Sequence, residues 1–254
     1  MKKILLTGAT GYIGKRMINV IAAQGYQVIC CCRDKNRFSK SVDIDDAQIE
    51  VVEVDFLKPE TLENIPKDIS GAYYLMHSMS NSNDYAEIER QCAVNFSNYI
   101  ETTDCKHIVY LSGLANEKEL SQHLSSRFEV EKILMKCKVP ATVLRAGIII
   151  GSGSASFEII RDLVEKLPVM VAPKWLHTKC QPIGIANVLD FLIFTLFKEQ
   201  AYHRNFDIGC GNVLTYKEML LEFAKIRGLK RKIFTVPVMT PKLSSYWLYF
   251  ITST

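Results

Sequence analysis

The sequence predicts an α/β fold: a doubly wound parallel Rossmann sheet with helices on both faces and a small C-terminal substrate lobe. Three observations carry this. Apolar runs recur through residues 1–150 without polar alternation, the pattern of strands buried on both faces. Segments of helical spacing separate them, so successive strands are joined by crossovers. The first run ends in a glycine-rich turn that opens the first helix.

The first strand is read at residues 4–7. Ile13, Met17, Ile18 and Ile21 then share one helical face, closed by Gly25. Apolar runs at 26–32, 49–54 and 72–76 give the second, third and fourth strands. A polar loop and a long helix over 85–103 follow, then a fifth strand at 107–111 and a helix over 117–137. The sixth and longest run is 142–150. Right-handed crossovers favour the strand order 3-2-1-4-5-6. Beyond Gly151 the rhythm loosens. A helix over 156–167, a Pro-containing stretch over 168–182 and an apolar helix over 188–197 come first. A short strand near Phe206, a helix over 215–227 and a strand over 233–236 complete the reading. One domain spanning 1–254 is expected, with a core of about 1–150 and a lobe of about 151–254 over the C-terminal edge of the sheet. The apolar end, Trp247-Leu248-Tyr249-Phe250-Ile251, is expected to dock, with the core, a partner chain and a membrane surface as the alternatives.

Composition bounds the function classes. A chain of 254 residues buries about three quarters of its unfolded surface and needs no staples. The net charge of +4 is mild and dispersed. Its richest basic cluster, Lys225, Arg227, Lys230, Arg231 and Lys232, reads as a solvated helix end and loop, so no nucleic-acid partner is expected. The eight cysteines include the consecutive Cys30, Cys31 and Cys32 but no C-x-x-C spacing, which argues against a disulfide framework, a metal site and a redox pair. Buried free thiols imply a reducing compartment. The basic start runs straight into a strand, and no segment reaches the roughly 18 apolar residues of a membrane span. A cytoplasmic protein without a transmembrane segment is the expectation.

The turn Gly8-Ala9-Thr10-Gly11-Tyr12-Ile13-Gly14 lies between strand and helix. Gly8 permits the tight turn, Gly11 lets a pyrophosphate approach the backbone, and Gly14 lets the helix pack closely on the strand. The helix start offers free N–H groups and a positive dipole end to phosphates. The second strand ends Cys32-Arg33-Asp34-Lys35-Asn36-Arg37. Arg33 stands where an acid would select NAD, and a guanidinium there suits the 2′-phosphate of NADP, with Arg37 as a second contact. Asp34, one residue on, leaves NAD as the alternative.

From these residues the chain resembles the extended and atypical short-chain dehydrogenase/reductases, the superfamily that includes nucleotide-sugar epimerases and NmrA-like proteins. The resemblance spans nearly the whole chain. It implies that Asp55-Phe56 contacts adenine, that Leu75-Met76-His77 passes the adenine ribose, and that Asn95 lies on the following helix. Ser112 falls at the catalytic serine, and Leu144-Arg145-Ala146-Gly147-Ile148-Ile149-Ile150-Gly151 lines the nicotinamide side. Closer still is a bacterial group of atypical members, marked here by His77-Ser78-Met79, residues 144–153, Ser156-Phe157-Glu158 and Pro182-Ile183. Many of that group carry a further C-terminal domain. A homodimer through helices on the sheet's flank is common in the superfamily.

The departure is in the catalytic pair. Working enzymes of the superfamily use Tyr-x-x-x-Lys on the helix after the fifth strand; here the matching positions read His123-Leu124-Ser125-Ser126-Arg127. Arg127 can hold ribose hydroxyls but does not deprotonate. His123, one turn away, can shuttle a proton near neutrality. Ser112, His123 and Arg127 are therefore the candidate catalytic residues, with His77 a further candidate at a strand end. The candidate cofactor contacts are Gly8, Thr10, Gly11, Tyr12, Ile13, Gly14, Arg33, Arg37, Asp55, Phe56, Met76, His77, Ser112, Arg127, Ala146, Gly147 and Ile148. Arg145, inside an apolar strand, needs an acidic or cofactor partner. Tyr73 and Tyr74 read as core, and the serine- and glycine-rich loop 151–156 as an ordinary connection or a substrate contact. Two functions are expected to compete. One is an NADP(H)-dependent oxidoreductase or epimerase-like enzyme acting on a small molecule. The other is a non-catalytic dinucleotide-binding sensor or structural subunit, as the missing Tyr-x-x-x-Lys suggests.

Overall fold

A computed structural model describes residues 1–38, 45–77, 85–114 and 122–236. It divides into two compact units. The first comprises Met1–Ala146 and Ala186–Ile208; the second comprises Gly147–Ile185 and the described chain from Gly209 on.

In the first unit, β1 (Lys3–Leu6) leads through the glycine turn into α1 (Tyr12–Ala23) and β2 (Gln27–Cys32). Then come β3 (Ile49–Glu53), β4 (Ile69–Tyr74), α2 (Tyr85–Ile100), β5 (Ile108–Gly113), α3 (Gln122–Met135) and β6 (Ala141–Ala146). The sheet order β3-β2-β1-β4-β5-β6 is the one expected, and every pairing is parallel. Parallel strands bring all their C-terminal ends to one edge, and the order reverses between β1 and β4. Ligands of such sheets lie outside that edge at the reversal.

Consecutive side chains of a strand face opposite ways, and Tyr73 and Tyr74 mark the two layers. Tyr74 packs against Phe96 of α2 and Tyr110 of β5 in a core closed by Val130 and Leu134 of α3. On the other face, the Tyr73 hydroxyl donates to the Leu192 carbonyl of α5, at 3.1 Å.

The second unit holds β7 (Ile149–Ile150), α4 (Ala155–Lys166), β8 (Val169–Pro173), β9 (Lys179–Cys180) and β10 (Ile183–Gly184). Helix α5 (Ile185–Thr195) and β11 (Arg204–Ile208) then return the chain to the first unit before β12 (Leu214–Thr215), α6 (Tyr216–Ile226) and β13 (Lys232–Val236) complete the second. Residues 186–208, read from sequence with the last third, thus supply a helix and a seventh sheet strand, with β11 parallel to β6. The apolar run 142–150, expected as one strand, breaks. β6 ends at Ala146, and Ile149–Ile150 pairs with β10 instead. Gly147 interrupts the run, and periodicity alone does not register a change of partner. Within the second unit α4, α6, β8 and β13 share a core of Leu163, Val164, Met170, Leu220 and Ile233. A reciprocal Thr215–Glu218 capping box starts α6, and Arg231 donates to the Val164 and Glu165 carbonyls at the end of α4.

The crossover through α5 is fastened to the sheet by His107, which is fully buried at the start of β5. The Phe197 N–H donates to its Nδ1 at 3.0 Å, which leaves the proton on Nε2 to face Thr142 Oγ1 at 2.9 Å. The Thr142 hydroxyl in turn donates to the Ala201 carbonyl. Burial, and secondarily the charge of His203, lowers the His107 pKa to about 4.

Candidate functional site

The glycine turn closes because three residues carry no side chain. A Cβ on Gly8, which has φ of +67°, would collide with the Leu75 carbonyl as β1 passes β4. A Cβ on Gly14 would overlap the Gly8 carbonyl, so the first turn of α1 sits directly on the loop. The Gly11 N–H donates to the Gly8 carbonyl at 2.9 Å, and Gly11 caps α1 with no side-chain bond. The first N–H groups of α1 are therefore left to an external acceptor. Thr10 and Gly11 are exposed at the tip. Tyr12 and Ile13 are partly buried, and the Tyr12 hydroxyl is buried with no hydrogen-bond partner among the described residues. The cradle fits a diphosphate.

Beside it, β2 ends at an exposed Arg33. The Asp34 carboxylate caps the next turn, accepting from the Asn36 N–H at 2.9 Å. Arg37 is exposed, and neither arginine makes an ion pair among the described residues. Asp55 accepts from the Leu57 N–H, while the Phe56 side chain is core, packed on Phe96. The Phe56 carbonyl is pinned by Asn95 Nδ2 at 2.8 Å, and Asn95 by Gln91. Cys92 of α2 joins this wall: burial foremost, then Asp55, push its thiol up to about 11, with Arg33 opposing.

Farther along the strand ends, Met76 packs against the core and the His77 ring reaches solvent. Desolvation of the ring, and secondarily the Arg127 guanidinium, hold His77 below the usual imidazole range. Ser112 is buried beside the Tyr110 hydroxyl, which also reaches the Arg127 carbonyl at 3.4 Å. Ser112 and Tyr110 thus lie side by side near the C-terminal end of β5, against the Arg127 carbonyl of α3. The side chain of His123 lies outside the described residues, as do Ser78 and Met79. Ala146 is buried at the end of β6, and Gly147 and Ile148 begin the second unit, where Ile148 accepts from the Ile183 N–H.

Arg145 finds its partner within the protein. Its Nε and Nη2 clamp Glu131 of α3 at 3.0 and 2.5 Å, and Asn205 donates to the same carboxylate. Sequence reasoning missed Tyr110 beside Ser112, the capping role of Asp34, and a buried hydrogen bond of 2.6 Å from Ser126 to Glu89. Spacing was the available signal: Tyr110 and Ser112, two apart on a strand, share a face.

Comparison with known proteins agrees with this fold. The chain is 23% identical over 249 residues to the photosystem II assembly factor Ycf39 of Trieres chinensis, covering 95% of this chain and 74% of that protein. It is 24% identical to the chloroplastic divinyl chlorophyllide a 8-vinyl-reductase of Arabidopsis thaliana, covering 92% of this chain but 60% of the reductase. Among solved structures, dTDP-glucose 4,6-dehydratase of Bacillus anthracis in complex with NAD superposes with TM-score 0.75 at 15% identity, over 97% of this chain and 90% of that one. UDP-N-acetylglucosamine 4-epimerase of Bacillus cereus gives 0.72 at 20% identity, over 100% and 92%. The profile of the NmrA-like family matches residues 1–239, and the chain belongs to that family.

Proposed function

We propose that the protein binds NADP(H) at the Gly8–Gly14 turn and acts as an oxidoreductase or epimerase-like enzyme on a small molecule. The observation that carries the reading is the pairing of an uncapped helix start with an exposed Arg33 whose neighbour Asp34 is occupied in its own turn. In this reading the N–H groups of Tyr12, Ile13 and Gly14 take the pyrophosphate, and Arg33 with Arg37 takes the 2′-phosphate. Asp55 and the Phe56 main chain face adenine, Met76 and His77 flank its ribose, and Arg127 holds the nicotinamide ribose. Ala146, Gly147 and Ile148 line the nicotinamide side. A bound dinucleotide supplies a hydride; the chain's residues bind, orient and exclude water. The Ser112 hydroxyl contacts the reacting oxygen, with His77 or His123 moving the proton.

Arg127 in place of lysine, with histidine in place of tyrosine, favours a second reading, a dinucleotide-binding module without turnover. The relatives' names divide the same way, one an assembly factor and one a reductase. Stopped-flow mixing with NADPH and carbonyl substrates tests the choice. Oxidation of NADPH supports the enzyme; tight binding of both redox forms without turnover supports the module.

A further inference from the structure

The second unit holds an open groove of about 630 Å³ where the end of α6 passes the starts of β8 and β13. That volume lies within the roughly 300–1,000 Å³ of small-molecule sites. Its floor is apolar: Leu221 and Ala224 from α6, Leu229 just beyond it, and Pro168 and Val169 at β8. Leu221 and Leu229 rest on the core of the unit, whereas Val169 is 52% exposed. Backbone bonds hold the walls in place. Gly228, at φ of +68°, turns the chain out of α6, and the Leu229 N–H returns to the Ala224 carbonyl at 2.8 Å. The Lys232 N–H reaches the Pro168 carbonyl at 3.2 Å, and Arg231 is pinned on the end of α4. A groove formed before its ligand arrives costs little ordering on binding.

The charges around it have one sign. Lys225, Lys230, Arg231 and Lys232 line the groove, and no carboxylate does among the described residues. The neighbouring acids face other partners: Glu222 lies 3.9 Å from Lys225, and Glu165 pairs with Arg227 at 3.1 Å. Lys230 and Lys232 are exposed and make no ion pair among the described residues, and residues 237–254 contain no Asp or Glu. Cations at a helix end answer to its dipole, which accounts for Lys225 and Arg227. That reason does not reach Lys230 and Lys232, which lie beyond the cap. Lysine lays an aliphatic stem along apolar surface and keeps its ammonium at the water's edge. The groove thus joins an apolar floor to a cationic rim.

We infer that this groove is a second binding site and takes a small amphiphile, its aliphatic chain along Leu221, Leu229 and Val169 and its anionic head at Lys230 and Lys232. The site is independent of the dinucleotide reading. The chain removes the floor from water, and the head offsets the mutual repulsion of the rim.

Calorimetric titration of the full chain with sodium decanoate, below its micelle concentration, tests the site. Three controls separate its parts: acetate lacks the chain, decyl maltoside carries an uncharged head, and decyltrimethylammonium a cationic one. Decanoate is expected to bind saturably, and each control more weakly by about tenfold or more. Lys230→Gln combined with Lys232→Gln should weaken decanoate about tenfold or more, the usual worth of charged contacts. Val169→Glu, at an exposed position opposite Lys232, should do the same by setting a carboxylate in the groove. Near-ultraviolet circular dichroism checks that the variants keep the fold. Equal binding of decanoate and decyl maltoside, unchanged binding in either variant, or no decanoate binding at all overturns the inference. Sedimentation with phosphatidylglycerol vesicles in the absence of decanoate binding also overturns it, and makes the face a membrane contact instead.

Discussion

His107 is the residue whose protonation the fold resists. Its Nδ1 accepts from Phe197, so a second ring proton breaks that bond inside the core. The native pKa of about 4 lies below the ordinary imidazole value, so the unfolded chain takes up the proton first as pH falls. The stabilisation is complete above about pH 6.5 and disappears toward pH 4, an effect of about 3 kcal/mol. Urea midpoints should decline across that window, and His107→Gln should flatten the decline; an unchanged slope would refute this role. The Arg145–Glu131 clamp makes a different forecast. Glu131→Gln leaves a nearly buried guanidinium under-compensated and should cost about 3 kcal/mol, whereas pairing it with Arg145→Met should recover part of that loss in a denaturant double-mutant cycle. At this scale the sequence showed that Arg145 needed a partner without showing which. Glu131 lies fourteen positions away on another element, a contact that only folding creates.

The glycine turn was the most legible element, because its three positions answer to local sterics that any strand–turn–helix imposes. Gly14→Ala places a methyl group on the Gly8 carbonyl and must lift α1 off the loop. We expect a stability loss of about 1–3 kcal/mol by denaturant titration and, in the proposed reading, loss of dinucleotide affinity. An alanine variant with unchanged stability would show that the helix does not sit as described. Elsewhere local pattern misled: residues 142–150 read as one strand because both halves are apolar, although they pair in different sheets. Beside Arg33, the sequence left Asp34 as a rival ribose ligand. In the structure one oxygen of that carboxylate accepts the Asn36 N–H, a local contact the sequence did not display.

At the scale of the whole molecule, the six-strand order followed from crossover handedness and from the point where the strand order reverses. The seventh strand was not read as part of the sheet. β11 is an edge strand, Arg-Asn-Phe-Asp-Ile, mostly exposed, and lacks the continuous apolar run of the others. Its closure has a consequence for fragments. A chain ended at residue 150 loses β11 and α5, leaving the Tyr73 hydroxyl, His107 Nδ1 and the Thr142 hydroxyl without Leu192, Phe197 and Ala201. That fragment should lack a cooperative thermal transition; a sharp one would show that the sheet is complete without the crossover. The chemistry was less legible than the fold, because the Tyr110–Ser112 pair of β5 meets the Arg127 carbonyl of α3 only in three dimensions. The central claim concerns the dinucleotide, and calorimetric titration with NADPH and NADH, with Arg33→Ala in parallel, tests it most directly. NADPH binding tighter than NADH, reduced about tenfold or more by Arg33→Ala while NADH is unaffected, is the predicted result. Absence of binding by either dinucleotide would contradict the account.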